Sequence, residues 1–350
     1  MVWQPAWMRR FLGRGGNLSS RPAVVLPPRP LELLVTLWPS FPHFASFAND
    51  PRLAGIRLNS AMMDQFELDH ELEIVAKRRS KTPLFFDVKG RQLRIQEVHP
   101  FPDHLEVTLN HPVEFDFRGS TPVLFKAGSD SAELVAIQGE GERLVFRGGP
   151  RWNVKVGESL HIRDHTLRVK GPLFTDAELL KIERVRRAGF KHWFLSYVEE
   201  QRDIDQFLEL VGHDAEVWLK IESRQGLEFV ARHFQKRPNL TLVAARGDLY
   251  VEVDRPHEVL AATKLIIEKD PEACVGSRVL LSVIPEPVPS CADFSELAWL
   301  YDIGYRRIML CDELCLKGDL LKRAVNVFDA FRESYTKTFA QSVPGAMTSL

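Results

Sequence analysis

The chain has 350 residues, of which 45% are hydrophobic, so it can bury a large core and is long enough for roughly two domains. Its 46 Lys and Arg nearly balance its 47 Asp and Glu, giving a formal net charge of -1. This balance argues against a general nucleic-acid or membrane-surface binder, which would carry a basic face or tail. No apolar run approaches the ~20 residues that cross a bilayer, which predicts a soluble protein without a membrane partner.

Residues 1–30 contain five arginines and no acidic residue, and they end in a proline-rich stretch. An acid-free, Arg- and Ser-containing start is typical of an organelle transit peptide, but a disordered leader explains it as well. We therefore expect a disordered or targeting leader over 1–30, in a cytoplasmic protein or, if the leader is a genuine transit peptide, an organellar one. Residues 334–350 are small and polar, which predicts a flexible tail.

From residue 31 onward, short apolar runs alternate with helical patterns. Three runs have the composition of buried parallel strands: 33–37, 54–58 and 83–86. Between the second and third, residues 64–79 place apolar side chains near i, i+3 and i+4, which predicts a helix.

Between residues 91 and 170 the pattern changes to a period of two. Alternating runs such as 105–109 and 144–146 are separated by Gly, Asp and Pro turns, and no stretch has a helical period. This pattern predicts a small antiparallel β module inserted into the α/β chain.

After residue 171 the α/β alternation resumes. The pattern from Thr175 to Glu178 is a capping box that opens a helix through Arg187, and a last helix is predicted over 319–331. Five further strands are predicted at 192–198, 217–221, 240–245, 278–284 and 306–310.

Three strands before the insert and five after it make eight. Eight strands alternating with helices predict a closed (β/α)8 TIM barrel, formed by residues 31–90 and 171–333, with a small all-β lid domain (91–170) inserted after strand 3. An open doubly wound sheet is the alternative, but the first strand is not followed by the GxGxxG turn typical of that fold.

Two neighbouring predicted strands end in charged residues. Lys220 and Glu222 end one apolar run, and Gly247 and Asp248 follow the next. Because the carboxyl ends of parallel strands meet at one edge of a barrel, we expect Lys220, Glu222 and Asp248 to surround one site. Two carboxylates on adjacent strand ends suit Mg²⁺, which takes its other ligands from water and substrate. The alternative interpretation is a strand-end salt-bridge cluster.

Six segments, in chain order and each near a predicted strand end, resemble motifs of the pyruvate kinase family. They include Lys-Ile-Glu-Ser at 220–223 and Ala-Arg-Gly-Asp at 245–248; the others lie at 36–39, 57–62, 87–94 and 308–313. The position of the inserted lid domain is also similar. The family's C-terminal regulatory domain has no counterpart, so the resemblance implies an enzyme without allosteric regulation.

The resemblance implies a magnesium-dependent transferase that converts phosphoenolpyruvate and ADP to pyruvate and ATP, with Mn²⁺ as a substitute for Mg²⁺. By this resemblance Glu222 and Asp248 bind the metal, and Lys220 stabilises the transferring phosphoryl group. Arg57 holds the substrate phosphate, and the backbone of Gly247 and Asp248 binds the substrate carboxylate.

The remaining site residues also follow from the resemblance. Ser282, taken as the end of strand seven, keeps a hydroxyl that can protonate the enolate, and Arg94 reaches the nucleotide phosphates. Asn59, Asp87 and Val88 match part of a K⁺ site. A nucleotide-binding group of the lid has three candidates: Arg163, Arg168 and Lys170. Family members associate through barrel helices, which implies a homodimer.

Four residues depart from the family pattern: Ala61 lacks a hydroxyl ligand of the K⁺ site, Gln92 replaces a glutamate associated with potassium dependence, and Tyr250 and Trp38 replace glycines near the site. Two other functions are therefore kept open. One is a metal-dependent lyase or decarboxylase acting on oxaloacetate-like acids, and the other is a catalytically silent relative that binds a metabolite or partner.

Overall fold

The computed structural model describes residues 30–342, except 64, 79, 149 and 152. Most of the predicted leader (1–30) and the end of the predicted tail (334–350) lie outside the described residues. In the part that is described, no helix is long and apolar enough to span a membrane.

The chain begins with three strands that alternate with two helices. These elements are β1 (Glu32–Thr36), α1 (Phe44–Phe47), β2 (Leu53–Asn59), α2 (Gln65–Arg78) and β3 (Leu84–Val88). The strands are almost entirely buried, as expected for parallel strands that are covered on both faces.

The insert then forms an all-β domain with its own apolar core. Its strands are β4 (Ile95–Pro100), β5 (His104–Leu109), β6 (Val113–Glu114), β7 (Thr121–Phe125), β8 (Asp130–Gln138), β9 (Arg143–Arg147), β10 (Leu160–Ile162) and β11 (Arg168–Val169). Six of them form an antiparallel sheet in the order β10-β7-β8-β9-β5-β4, and β11 pairs with β6. Alternate residues of these strands, among them Val107, Leu134 and Phe146, fill the core.

The rest of the chain completes the barrel. In chain order the elements are α3 (Asp176–Arg187), β12 (His192–Leu195), α4 (Gln201–Val211), β13 (Glu216–Ile221), α5 (Arg224–Arg232), β14 (Leu240–Ala245), α6 (Arg246–Glu252), α7 (Val259–Lys269), β15 (Cys274–Gly276), α8 (Cys291–Asp302), β16 (Arg307–Met309), α9 (Asp312–Cys315) and α10 (Gly318–Ser342). The Thr175 side chain caps α3 by accepting from the Glu178 N–H.

Eight parallel strands close the barrel in the order β1-β2-β3-β12-β13-β14-β15-β16, and β16 pairs with β1. The predicted TIM barrel with a small antiparallel domain is therefore confirmed. The base of its interior is filled by one apolar layer: Leu34, Phe85, Phe194, Trp218, Val243, Cys274 and Met309. Gly55 leaves room for this layer, since a Cβ there would lie 2.8 Å from the Phe85 ring.

Two predicted element boundaries are corrected. Strand seven is Cys274–Gly276, not 278–284, because Ser277, Arg278 and Leu280 adopt positive φ angles of 57–68° that end the strand, and Leu281–Val283 is a 3₁₀ turn. The last helix continues to Ser342, because Tyr335 packs on Phe331 and Tyr301; residues 334–342, predicted as tail, are helical.

Candidate active site

A polar layer lies directly above the apolar base of the barrel. Side chains two residues apart on a strand point to the same side, so the residues that follow Phe85, Phe194 and Trp218 by two positions also face inward. They are Asp87, Ser196 and Lys220. All three are buried, so the carboxyl end of the barrel contains charges that have little access to water.

Asp87 is the centre of this layer and is fully buried. Its Oδ2 accepts from Arg57 Nε at 2.7 Å and from Lys89 Nζ at 2.9 Å, and Lys220 Nζ lies 3.4 Å away. Its Oδ1 accepts from the Ser196 hydroxyl at 3.1 Å. Burial would raise the pKa of Asp87, but Lys220, Lys89 and Arg57 more than offset this and hold the pKa well below its ordinary range.

Lys89 and Ser196 were not assigned a role from the sequence. Burial lowers the pKa of Lys89 to about 7, with Asp87 opposing the shift and Lys220 and Arg57 adding to it. Burial is therefore the main cause of this shift, and the crowding of three cations on one carboxylate adds to it. The sequence could have indicated Lys89 as a site residue. It lies two residues after Asp87, so the alternation of an extended chain places both side chains on the same side.

Arg57 connects this layer to the loop after strand eight. Its Nη1 donates to Thr36 Oγ1 at 3.2 Å and to Asp312 Oδ1 at 3.0 Å. The amide of Asn59 donates to the other oxygen of Asp312 at 3.1 Å. The motifs at 57–62, 87–94 and 308–313 therefore meet in space.

Lys220 and Glu222 lie side by side at the end of β13. Lys220 Nζ is 2.9 Å from Glu222 Oε1 and donates to the Ser196 hydroxyl at 2.8 Å. Burial would lower the pKa of Lys220, but Asp87 and Glu222 more than offset this and raise it, so the ammonium stays charged. The structure thus brings together Arg57, Asp87, Lys220 and Glu222.

Glu222 is fully buried and faces Asp248. Its Oε2 accepts the N–H of Tyr197 at 2.8 Å. Burial raises the pKa of Glu222 to about 7, with Asp248 adding to the rise and Lys220 opposing it. Two neighbouring carboxylates, one of them fully buried, are suited to binding a divalent cation.

The donor set fits a cation that is only partly ligated by protein. Within the described part of the chain, no three His, Cys, Asp or Glu side chains are arranged to hold a metal ion. Glu222 and Asp248 alone leave the other positions to water and substrate, which is the usual arrangement for Mg²⁺ at phosphate sites.

Gly247 and Asp248 open α6, directly after β14. A Cβ on Gly247 would lie 3.3 Å from the Cβ of Ser277, so this turn packs closely on the residue that follows strand seven. Asp248 Oδ1 lies 3.4 Å from Nε2 of His161, a residue of the inserted domain that the sequence did not single out.

Ser282 does not end strand seven. Its hydroxyl bonds to the Asp293 carboxylate and accepts the Ser290 N–H at 2.7 Å, so it contacts the N-terminal turn of α8 from the 3₁₀ turn. The residue that follows strand seven and lies against Gly247 is Ser277. It was missed because the longer apolar run at 278–284 obscured the three-residue strand before it.

The predicted nucleotide-binding residues have protein partners. The guanidinium of Arg94 donates to Gln92 Oε1 and to the carbonyl of Gly157, both in or beside the insert. Arg163 donates to carbonyls at the end of α6, and Lys170 pairs with Glu114. Arg168 is exposed on β11.

The oxygens that the resemblance assigns to K⁺ already accept from the protein. Asn59 Oδ1 accepts the Ala61 N–H at 3.2 Å, and the Val88 carbonyl accepts the Ser196 N–H at 2.9 Å. Asp87 is neutralised by its cationic side chains, so this residue set offers a monovalent cation little uncompensated negative charge.

Two substitutions that placed the activity in doubt are accommodated without strain. Tyr250 is 38% exposed and lies beneath the Arg278 guanidinium, 4.5 Å from its ring centre. Trp38 is half-buried and packs on the main core.

Comparison with known proteins shows what the chain is similar to. No protein-family model matches the chain. Seven curated proteins match the chain, and all seven are named as pyruvate kinases. The protein of Borreliella burgdorferi is 23% identical over 292 residues, 78% of this chain and 61% of the relative. Those of Thermoplasma acidophilum and Chlamydia trachomatis are 23% and 27% identical over 298 and 297 residues.

The chain resembles pyruvate kinases over about four fifths of its length.

The matches with the latter two relatives include 81% and 76% of this chain. The chain spans only 54–61% of the length of these three pyruvate kinases. The similarity therefore concerns a part of those proteins.

Proposed function

We propose that the chain is a pyruvate kinase-type phosphotransferase, which transfers the phosphoryl group of phosphoenolpyruvate to ADP with Mg²⁺ or Mn²⁺ as cofactor. The observation that supports this most strongly is Lys220, buried and charged between Glu222 and Asp87 in a barrel related to pyruvate kinases. Phosphoryl transfer depends on alignment and charge neutralisation rather than on covalent participation by the protein.

Each group has a role that its surroundings permit. Lys220 stabilises negative charge on the transferring phosphoryl group. Arg57 binds the phosphate, which would replace the partly exposed Asp312 as the partner of its Nη1. The backbone at Gly247 and Asp248 receives the substrate carboxylate, and Ser277, beside Gly247, replaces Ser282 as the candidate hydroxyl for protonating the enolate.

The metal would be held by Glu222 and Asp248. A divalent cation bound there supplies positive charge that neutralises the phosphate and polarises the substrate oxygens. Lys220 and Arg57 remain charged without it, so the protein already provides a cationic environment for the phosphate.

A K⁺ ion is not part of this proposal. The Asn59 side-chain oxygen and the Val88 carbonyl each accept a hydrogen bond from a backbone N–H. Asp87 already pairs with the Lys89 ammonium. We therefore expect turnover to be independent of K⁺.

A metal-dependent decarboxylase of oxaloacetate-like acids is the second candidate. The observation that favours it is the engagement of Arg94 by Gln92 and Gly157, which leaves the metal pair and the Gly247 turn intact but occupies a group expected to bind nucleotide.

Pyruvate formation distinguishes these functions. The purified chain is incubated with Mg²⁺ and either phosphoenolpyruvate or oxaloacetate, with and without ADP. Pyruvate from phosphoenolpyruvate only when ADP is present supports the kinase, whereas pyruvate formed from oxaloacetate without ADP, and faster than in Mg²⁺ without protein, supports the decarboxylase. Pyruvate from neither substrate overturns both and leaves a catalytically silent binding protein. In the same assay, Lys220→Met tests the role of Lys220 in the kinase reaction. Lys264→Met, which alters an exposed lysine of α7, is its control.

A further inference from the structure

The short helix α6 carries Asp248 and is fixed from both of its ends. At its start, Arg246 donates to Glu296 at 2.7 Å and to the Ser277 carbonyl at 3.0 Å, and both partners belong to the barrel. At its end, the partners come from the inserted domain.

Arg163 of the insert binds the carbonyl groups at the end of α6. Its Nη1 donates to the carbonyls of Val251 and Val253, the latter at 3.0 Å, and its Nη2 donates to that of Asp254 at 3.3 Å. The last carbonyls of a helix have no partner within the helix, and a cation there is favoured by the helix dipole. One guanidinium therefore completes the C-terminal end of α6.

His161 of the insert contacts the face of α6 that carries the carboxylates. Asp248 and Glu252 are four residues apart, so they lie on one face of the helix. The imidazole is 1% exposed, with Nδ1 2.7 Å from Glu252 Oε1 and Nε2 3.4 Å from Asp248 Oδ1. The hydroxyl of Tyr197 lies 3.4 Å from the same Nδ1.

Further contacts hold the insert against this part of the barrel. Arg224 and Gln225 of α5 donate to the carbonyls of His165 and Leu167, each at 3.1 Å. Gly128, with a φ of 88°, approaches so closely that a Cβ would lie 2.9 Å from Val251 Cγ1.

From these contacts we propose that the inserted domain positions the metal site, with Arg163 and His161 as positioning residues that hold α6 so that Asp248 faces Glu222. This inference rests on the proposed function, because it assumes that Glu222 and Asp248 bind the divalent cation. Asp248 stands on a helix of only seven residues, so contacts at the start of this helix alone would let its carboxylate move away from Glu222.

The affinity of the protein for Mn²⁺ tests the inference. It is measured without nucleotide or substrate, from the electron paramagnetic resonance signal of free Mn²⁺. We expect Arg163→Met and His161→Phe to weaken Mn²⁺ binding about tenfold, and Arg163→Lys, which keeps a cation at the helix end, to restore it to within about threefold. Arg147→Met, at an exposed position on β9 of the same insert, is the matched control and should bind as the parent does.

Equal Mn²⁺ affinity for the parent, Arg163→Met and His161→Phe overturns the positioning role while leaving the proposed function standing. No Mn²⁺ binding by the parent overturns the assumption about Glu222 and Asp248, and the inference with it. If Arg163→Met does not fold, the comparison of His161→Phe with Arg147→Met decides by the same criterion.

Discussion

Lys220 Nζ lies 2.9 Å from Glu222 Oε1, and both side chains leave the end of β13 toward the interior of the barrel. The pair is buried, so its attraction is little screened by water. The proposal rests on this pairing: Glu222 binds the metal, and Lys220 remains charged and stabilises the phosphoryl oxygens.

Lys220→Met should remove turnover with little effect on metal affinity. The substitution keeps most of the side-chain volume but deletes the charge that faces the transferring group, and the loss of one such electrostatic contact costs about 10²–10³-fold in kcat. Steady-state kinetics and Mn²⁺ binding are measured on the same preparation. A kcat within about threefold of the parent would contradict the role of Lys220.

Asp87→Asn should destabilise the fold strongly. Arg57, Lys89 and Lys220 would lose their shared buried carboxylate, and an uncompensated buried charge costs about 3–5 kcal/mol. Asp312→Asn is the control, since its side chain is 42% exposed and its pairing with Arg57 should contribute less than about 1 kcal/mol. Urea denaturation gives both free energies of unfolding; equal losses would show that Asp87 is not the centre of the charge network.

Glu199→Gln should flatten the dependence of stability on pH. Burial raises the pKa of Glu199 to about 7 from an ordinary value of 4.5, with the Ser223 hydroxyl opposing the shift and Asp203 adding to it. Between those pH values the folded protein retains a proton that the unfolded chain has released. The contribution of Glu199 to stability therefore falls as pH rises from about 4.5 to 7, by at most about 1.4 kcal/mol per pH unit.

Unfolding free energies at pH 5, 6 and 7 check this sign. The parent should lose stability relative to Glu199→Gln across the series, and the exposed Glu209→Gln should behave as the parent does. A difference between parent and Glu199→Gln that stays constant with pH would show that this carboxyl does not titrate abnormally.

Replacing K⁺ by choline at constant ionic strength should change the turnover of phosphoenolpyruvate and ADP by less than about twofold. The reason is that the oxygens of Asn59 and Val88 accept backbone N–H groups at 3.2 and 2.9 Å, and Asp87 is neutralised by side chains. Activation by K⁺ of tenfold or more would mean that these bonds open to admit the ion.

The sequence predicted the barrel because its strands are buried on both faces and therefore appear as continuous apolar runs, as in Val217–Ile221 and Leu240–Ala245. It predicted the positions of Lys220, Glu222 and Asp248 because strand ends of a barrel share one edge. It misplaced strand seven, because Cys274–Gly276 is too short to show a pattern and the apolar residues after it fold into a turn.

Contacts between the insert and the barrel could not be predicted in the same way. Arg163 was a candidate for nucleotide binding, yet its guanidinium is used by the end of α6. His161 lies between Leu160 and Ile162, which face the core of the insert, so alternation predicts only that it faces away from that core. Its position beside Asp248 depends on how the two domains pack. Local patterns carry no information about such packing, because it joins residues 91 positions apart, as in the contact of His161 with Glu252.

The most direct test of the central claim is to follow the transfer of the phosphoryl group from phosphoenolpyruvate to ADP. In ³¹P NMR of the chain with phosphoenolpyruvate, ADP and Mg²⁺, we expect the phosphoenolpyruvate resonance to decline as the γ-phosphate resonance of ATP grows in equal amount, with Lys264→Met indistinguishable from the parent and Lys220→Met at least about 10²-fold slower. Persistence of the phosphoenolpyruvate resonance with a folded parent protein, or its conversion to inorganic phosphate without ATP, would contradict the assignment of Lys220 to phosphoryl transfer.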